Sequence, residues 1–259
     1  MTRRMHTAHL PPLIGGATAS ASLGEAFYRI RTALLADGDA APKTILVAST
    51  LPGDGRSTVA ANLAIACAGP DRSVLLVDAD LRHPVLHVRF GMENVRGLAQ
   101  VLYCDGDGEL HVRQVRPCLD LLASGPLPAD PPDLLASQTM ARLMDFLRDK
   151  YDLVVLDSPP VSAFADAVAL AQWVDAVVFV ARSSHTHREQ AGRALRQLSK
   201  SNPRVLGVVL NAVPVSDKAI GIDSPATADV ISAAAAPVEQ ANLPVPTHDP
   251  GRAAPAAPS

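Results

Sequence analysis

Five short runs are apolar almost without interruption: TILVAS (44–49), SVLLVDAD (73–80), DLVVLDSPP (152–160), DAVVFVAR (175–182) and VLGVVLNAV (205–213). A strand exposed on one face alternates apolar and polar residues. A strand that is apolar throughout must be covered on both faces, as in a parallel sheet. The segments between the runs suit the covering layers. STVAANLAIACA (57–68), DLLASQTMARLMDFLRDK (133–150) and REQAGRALRQLSK (188–200) read as helices, with Leu135, Leu143 and Leu147 of the second near one face. SLGEAFYRIRTALLA (22–36) reads as another, with Leu23, Phe27, Ile30 and Leu34 at helical spacing. The expected fold is therefore α/β, with a mostly parallel central sheet between two helical layers. Aromatics are 3% of the 259 residues against 48% hydrophobic residues, so the core must be aliphatic.

The expected organisation is a flexible segment over residues 1–20, one domain over 21–215 and a disordered tail over 216–259. The tail is rich in Ala and Pro and has no aromatic residue, though ATADVISAAAA within it could form a short helix. A net charge of −3 gives no basic field for nucleic acid. Cys67, Cys104 and Cys118 are well separated and odd in number, which fits a reduced, cytoplasmic setting. The apolar stretch near the N-terminus is short and broken by Pro11 and Pro12, which argues against a secretory signal. No run reaches the roughly 18 apolar residues of a membrane span, so no direct membrane insertion is expected.

The first run leads into TLPGDGRST (50–58) and then into a helix of small residues. A strand, a Gly-rich turn and a helix make the setting of a phosphate-binding loop. Gly53 and Gly55 let backbone N–H groups turn inward around an anion, and a helix starting near Arg56 adds its positive end. Ser57 is placed to ligate Mg²⁺. The strict loop pattern is broken twice: Thr50 stands at its first Gly and Arg56 at its Lys. The second run ends in Asp78 and Asp80, and the third in Asp157 followed by Ser-Pro-Pro. Ligands of open α/β sheets bind at the carboxyl ends of strands, where such carboxylates suit Mg²⁺ binding and a general base. His83, His87, His185 and His187 have no matching ligand set and read as surface residues, and Asp105 with Asp107 reads as a turn.

EAFYRIRTALL, LPGDGRSTVAANLA, LLVDADLRHP, GLAQVL, LLASGPLPADPPDLLAS, YDLVVLDSPPV, Asp166 in FADAVALA, and LGVVLNAV together resemble the bacterial tyrosine kinases of capsule and exopolysaccharide systems, the CpsD/CapB type. That family lies within the P-loop superclass of partition and division-site ATPases. The resemblance runs from about Leu23 to Val213. It implies ATP and Mg²⁺ as cofactors and a P-loop NTPase fold. It implies a nucleotide-binding set of Gly53, Asp54, Gly55, Arg56, Ser57, Thr58 and Asn211, the last at the base, although a loop-capping role suits Asn211 equally. Ser57, Asp78, Asp80 and Asp157 would serve the metal. Asp78, Asp80 and Arg56 would serve phosphotransfer to tyrosine.

The resemblance further implies a homo-oligomeric ring and a membrane-spanning polysaccharide copolymerase of the chain-length-determinant kind as adaptor. Through it a cytoplasmic protein would be recruited to the inner face of the membrane and regulate polymer length and export. The chain departs from the family in three places. Arg56 replaces Lys. Tyr28 replaces the first Arg of the E-x-x-R-x-x-R oligomerisation motif that Glu25 and Arg31 otherwise match. The tail has no tyrosine, Tyr28, Tyr103 and Tyr151 being the only ones. Three functions therefore stay open: a tyrosine kinase, a nucleotide-binding pseudokinase scaffold, and, ranked last, a partition-type positioning ATPase.

Overall fold

The computed structural model describes residues 11–16, 19–104, 110–201 and 203–214. The expected tail over 216–259 with its short helix, the Asp105–Asp107 turn and most of the expected flexible segment 1–20 lie outside the described residues. All five apolar runs are strands: β1 (Thr44–Ser49), β2 (Val74–Asp78), β5 (Leu153–Asp157), β6 (Ala176–Arg182) and β7 (Arg204–Asn211). A hairpin of β3 (Val112–Arg116) and β4 (Leu119–Leu122) completes a seven-stranded sheet in the order β3-β4-β2-β5-β1-β6-β7. Only β3 runs antiparallel to its neighbour.

Alternation along each central strand divides the core in two. Leu46, Leu75, Val77, Val154, Leu156 and Phe179 face one layer, built on α4 (Leu98–Tyr103), α5 (Pro131–Leu135), α6 (Gln138–Lys150), α7 (Asp166–Ala171) and α8 (Arg188–Leu198). Ile45, Val47, Val74, Leu76, Val155 and Val178 face the other, built on α1 (Ala21–Leu34), α2 (Arg56–Cys67) and the single-turn α3 (Leu86–Arg89). The molecule is thus the expected three-layer α/β sandwich. Each fully buried large apolar side chain contributes about 1.5–3 kcal/mol of transfer free energy, so the twelve strand side chains above, six on each face, are a major part of what holds the layers.

Helix α2 lies across the centre of its layer. Ala60, Ala61 and Ala64 are fully enclosed, and their small side chains let the helix axis come close to β1 and β5. The single helix expected over 133–150 is two, α5 and α6. The Ser137 hydroxyl accepts the N–H of Met140 and starts α6 afresh, because a Ser side chain satisfies a first-turn donor better than it propagates a helix. Within the segment expected to be flexible, Ile14 is buried against α2. Its N–H donates to Asn62 Oδ1 at 2.7 Å, and Asn62 Nδ2 donates back to the Pro12 carbonyl.

Candidate nucleotide site

The loop between β1 and α2 and the ends of β2 and β5 meet at one edge of the sheet. Gly53 and Gly55 adopt φ of +83° and +98°, left-handed values that side chains resist. Gly55 is also the residue from which α2 springs. A Cβ on Gly55 would lie 2.0 Å from Asn211 Nδ2, so the position admits no larger residue as the loop stands.

The loop is held from outside. Asn211, at the end of β7, donates to the Asp54 carbonyl at 2.9 Å. Asp54 itself is fully buried. Its Oδ2 accepts the Leu51 N–H at 2.8 Å, and its Oδ1 meets Thr186 Oγ1 at 2.8 Å and His185 Nδ1 at 3.0 Å. Arg182 donates to the Gly53 carbonyl at 3.1 Å. In this arrangement Asp54 tethers the loop and Asn211 hydrogen-bonds its backbone. His185, read from sequence as a surface residue, joins the tether. Nothing in the spacing of Arg182, His185 and Thr186 signals this, because they meet the loop only through the β1–β6 pairing.

Three aspartates converge beneath the loop. The register of β2 and β5 pairs Asp78 with Asp157. Asp78 Oδ2 accepts the N–H groups of Val85 and Leu86 and so anchors α3, while its Oδ1 has no partner. Neither oxygen of Asp157 accepts a hydrogen bond of ordinary geometry, although the Ser57 hydroxyl is near enough to lower its pKa. Both oxygens of Asp80 are engaged: Oδ1 accepts from Arg82 and His83 N–H, and Oδ2 from Arg56 at 3.2 Å. Burial pushes the Asp157 carboxyl up to about 6, against the nearby Arg56 charge that lowers it. Burial and then the Asp157 charge raise Asp78 well above the usual carboxylate range.

Arg56 does not reach out of the loop. Its side chain is buried. Nε donates to the Ser158 carbonyl, Nη1 to Ser49 Oγ at 3.0 Å and Nη2 to Asp80, with Asp157 Oδ1 4.0 Å away. A guanidinium presents a planar fork of donors, and each of the three nitrogens of this one donates to the protein. Arg82, two residues beyond Asp80, is likewise engaged. Arg82 grips the fully buried Asp166 through two hydrogen bonds of 2.8 and 3.0 Å and lies 4.1 Å from the Phe164 ring centre.

Buried carboxylate oxygens without partners are costly unless a cation or proton meets them. Asp78 and Asp157 leave such oxygens, and Thr50 Oγ1 is buried beside the loop without a partner as well. This donor set of hard oxygens fits Mg²⁺. Among the described residues no three His, Cys, Asp or Glu side chains are grouped closely enough to hold a metal alone.

The family described as the CobQ/CobB/MinD/ParA nucleotide binding domain matches residues 45–224. The chain is 40% identical over 202 residues to the tyrosine-protein kinase YwqD of Bacillus subtilis, covering 77% of this chain and 85% of that protein. It is 40% identical over 191 residues to the putative tyrosine-protein kinase EpsB of Ralstonia solanacearum, covering 73% of this chain but spanning only 26% of that longer protein. The solved structure of the chimerical protein CapA2B2 aligns with a TM-score of 0.70 at 34% identity, over 74% of this chain and 85% of that one.

Proposed function

The chain belongs to the CobQ/CobB/MinD/ParA nucleotide-binding family and, within it, to the bacterial tyrosine-protein kinases, and from that premise we propose that it is a Mg-ATP-dependent tyrosine kinase acting in capsule or exopolysaccharide production. The observation that carries the reading is the pair Asp78–Asp157, whose buried and unpartnered oxygens lie beside a phosphate-binding loop. Ser57, Asp78 and Asp157 would hold Mg²⁺. The ion, when bound, supplies positive charge to the transferring phosphoryl group.

The chain's own residues set the rest. Gly53 and Gly55 open the loop backbone toward an anion, and the first turn of α2 directs unsatisfied N–H groups at it. Asp54, fixed by Thr186 and His185, keeps the loop from collapsing. Asp80 would accept the tyrosine proton once Arg56 releases it, since both of its oxygens are otherwise occupied. The domain assignment we propose is a kinase unit over 21–215, onto which Pro12 and Ile14 of the preceding segment pack. No described helix is long and apolar enough to cross a membrane. Recruitment to the membrane by a spanning copolymerase adaptor, and assembly into a ring, remain part of this proposal.

One observation favours a second reading. Because Arg56 is tied to Asp80, Ser49 and Ser158, the chain could bind nucleotide and regulate an adaptor without turnover. Incubation with labelled Mg-ATP and the adaptor's cytosolic segment separates the two. Phosphotyrosine on the protein or its partner supports the kinase. Nucleotide binding with no transfer by the wild type, and transfer by Arg56→Lys, supports the regulator.

A further inference from the structure

Arg56 occupies the position from which a phosphate loop reaches its anion, yet its guanidinium is turned inward. Another cation stands at the same helix end. Arg89, the last residue of α3, donates through Nη2 to Thr58 Oγ1 at 2.7 Å. Thr58 is the third residue of α2, in the turn whose N–H groups have no helical partner. Helical side chains lean toward the N-terminus, so this hydroxyl is carried to the anion-binding end. Arg89 Nη1 donates to the Pro11 carbonyl, and Nε is buried with no partner at all. Arg89 and Asp157 also feel each other's charge. The helix that carries Arg89 is itself fixed by Asp78, through the Val85 and Leu86 N–H groups.

We propose that Arg89 is a second phosphate-side cation of this site, holding Thr58 toward the phosphates and supplying there the charge that Arg56 commits to Asp80. The assignment rests on the nucleotide-binding reading above. It makes Arg89 a positioning residue acting through Thr58, and it gives the chain a route to phosphate recognition without a lysine in the loop. A guanidinium has five N–H donors and Arg89 commits two of them to Pro11 and Thr58, which leaves donors suited to a nucleoside di- or triphosphate and with nothing to offer a neutral nucleoside.

Displacement of a fluorescent ATP analogue by ATP, ADP and adenosine, with Mg²⁺ present, tests this on the full chain. Arg89→Ala is expected to weaken ATP and ADP about tenfold and leave adenosine unchanged, and Arg89→Lys to recover most of the loss. In a Thr58→Val background, Arg89→Ala should have a clearly smaller effect, because the two residues act as a unit. A role confined to clamping Pro11 would weaken all three ligands alike, or lower only the melting temperature. Either result overturns the proposal, as does equal ATP affinity in wild type and Arg89→Ala. If Arg89→Ala does not fold, Arg89→Gln carries the test: it is expected to lose affinity for ATP and ADP but not adenosine, and retention of phosphate affinity overturns the proposal. Wild type that binds no nucleotide overturns the underlying reading and this assignment with it.

Discussion

Asp78 and Asp157 stand side by side at the ends of β2 and β5, and together they leave Asp78 Oδ1 and both oxygens of Asp157 buried without a hydrogen bond. An arrangement of this kind opposes folding by itself and is relieved by a ligand. The nucleotide-free protein should therefore show its cost.

Replacing Asp157 by Asn tests that cost. The Asp157 carboxyl is raised from 3.8 to about 6, so the folded chain holds the proton more tightly than the unfolded one. Such a group lowers stability fully above pH 6, progressively less between 6 and 4, and not at all below. Nucleotide-free Asp157→Asn should be more stable than wild type at pH 7.5, on the order of 2 kcal/mol. The gap should close between pH 6 and 4 in urea titrations, and Mg²⁺-dependent ATP binding should be lost. A gap that does not change with pH would show that Asp157 is not the strained acid.

Arg56 is the cation that offsets these carboxylates. Arg56→Ala leaves Asp80 buried with one lost partner and should destabilise the protein by about 3 kcal/mol at pH 7.5. Arg56→Lys keeps the charge but loses the fork to Ser49 and Ser158, costing about 1 kcal/mol. Freed from that fork, the ammonium should raise phosphotransfer about tenfold over wild type. Urea denaturation and single-turnover labelling measure both. Unchanged turnover in Arg56→Lys would show that Arg56 already serves the phosphates.

Gly55 and Asn211 are coupled by contact. Gly55→Ala should weaken ATP binding and cost about 1–3 kcal/mol, because it combines a φ of +98° with a Cβ 2.0 Å from Asn211 Nδ2. Asn211→Ala in that background removes the collision but not the backbone strain, so recovery should be partial. Additive effects in a double-mutant cycle would contradict the contact.

Tyrosine accessibility limits self-labelling. Tyr151 is buried and donates its hydroxyl to Asp120 Oδ2 at 2.8 Å; burial and that carboxylate raise its pKa. Tyr28 and Tyr103 are the exposed ones. Phosphopeptide mapping after incubation with Mg-ATP should place any phosphotyrosine of the chain on these two, and Tyr28→Phe/Tyr103→Phe should abolish it. Label on Tyr151 would require the domain to open.

The five apolar strands, the loop at Gly53–Thr58, α2 and the aspartates at the strand ends were legible in the sequence, because each is a local matter. Apolar runs, glycine at a turn and a polar residue ending a strand act over fewer than ten residues. The β3–β4 hairpin was not legible. VRQVR is an edge strand with partly exposed faces, and its turn uses Cys118 at a positive φ, where glycine or asparagine is usual. The break between α5 and α6 was also missed, since a Ser within an amphipathic stretch signals a cap only when its hydroxyl turns to Met140.

Sequence by itself thus determined which residues could meet phosphate and a divalent cation. Tertiary structure decided which are free to. Strand order set Asp78 beside Asp157, although 79 positions separate them, and left Asp78 Oδ1 and both Asp157 oxygens open while both oxygens of Asp80 are engaged. Burial turned the Arg56 fork inward, where carbonyl, hydroxyl and carboxylate acceptors compete for its donors, and brought Arg89 to Thr58 from another helix. A side chain's charge is written in its identity; the partners that engage it are set by packing between elements distant in the chain.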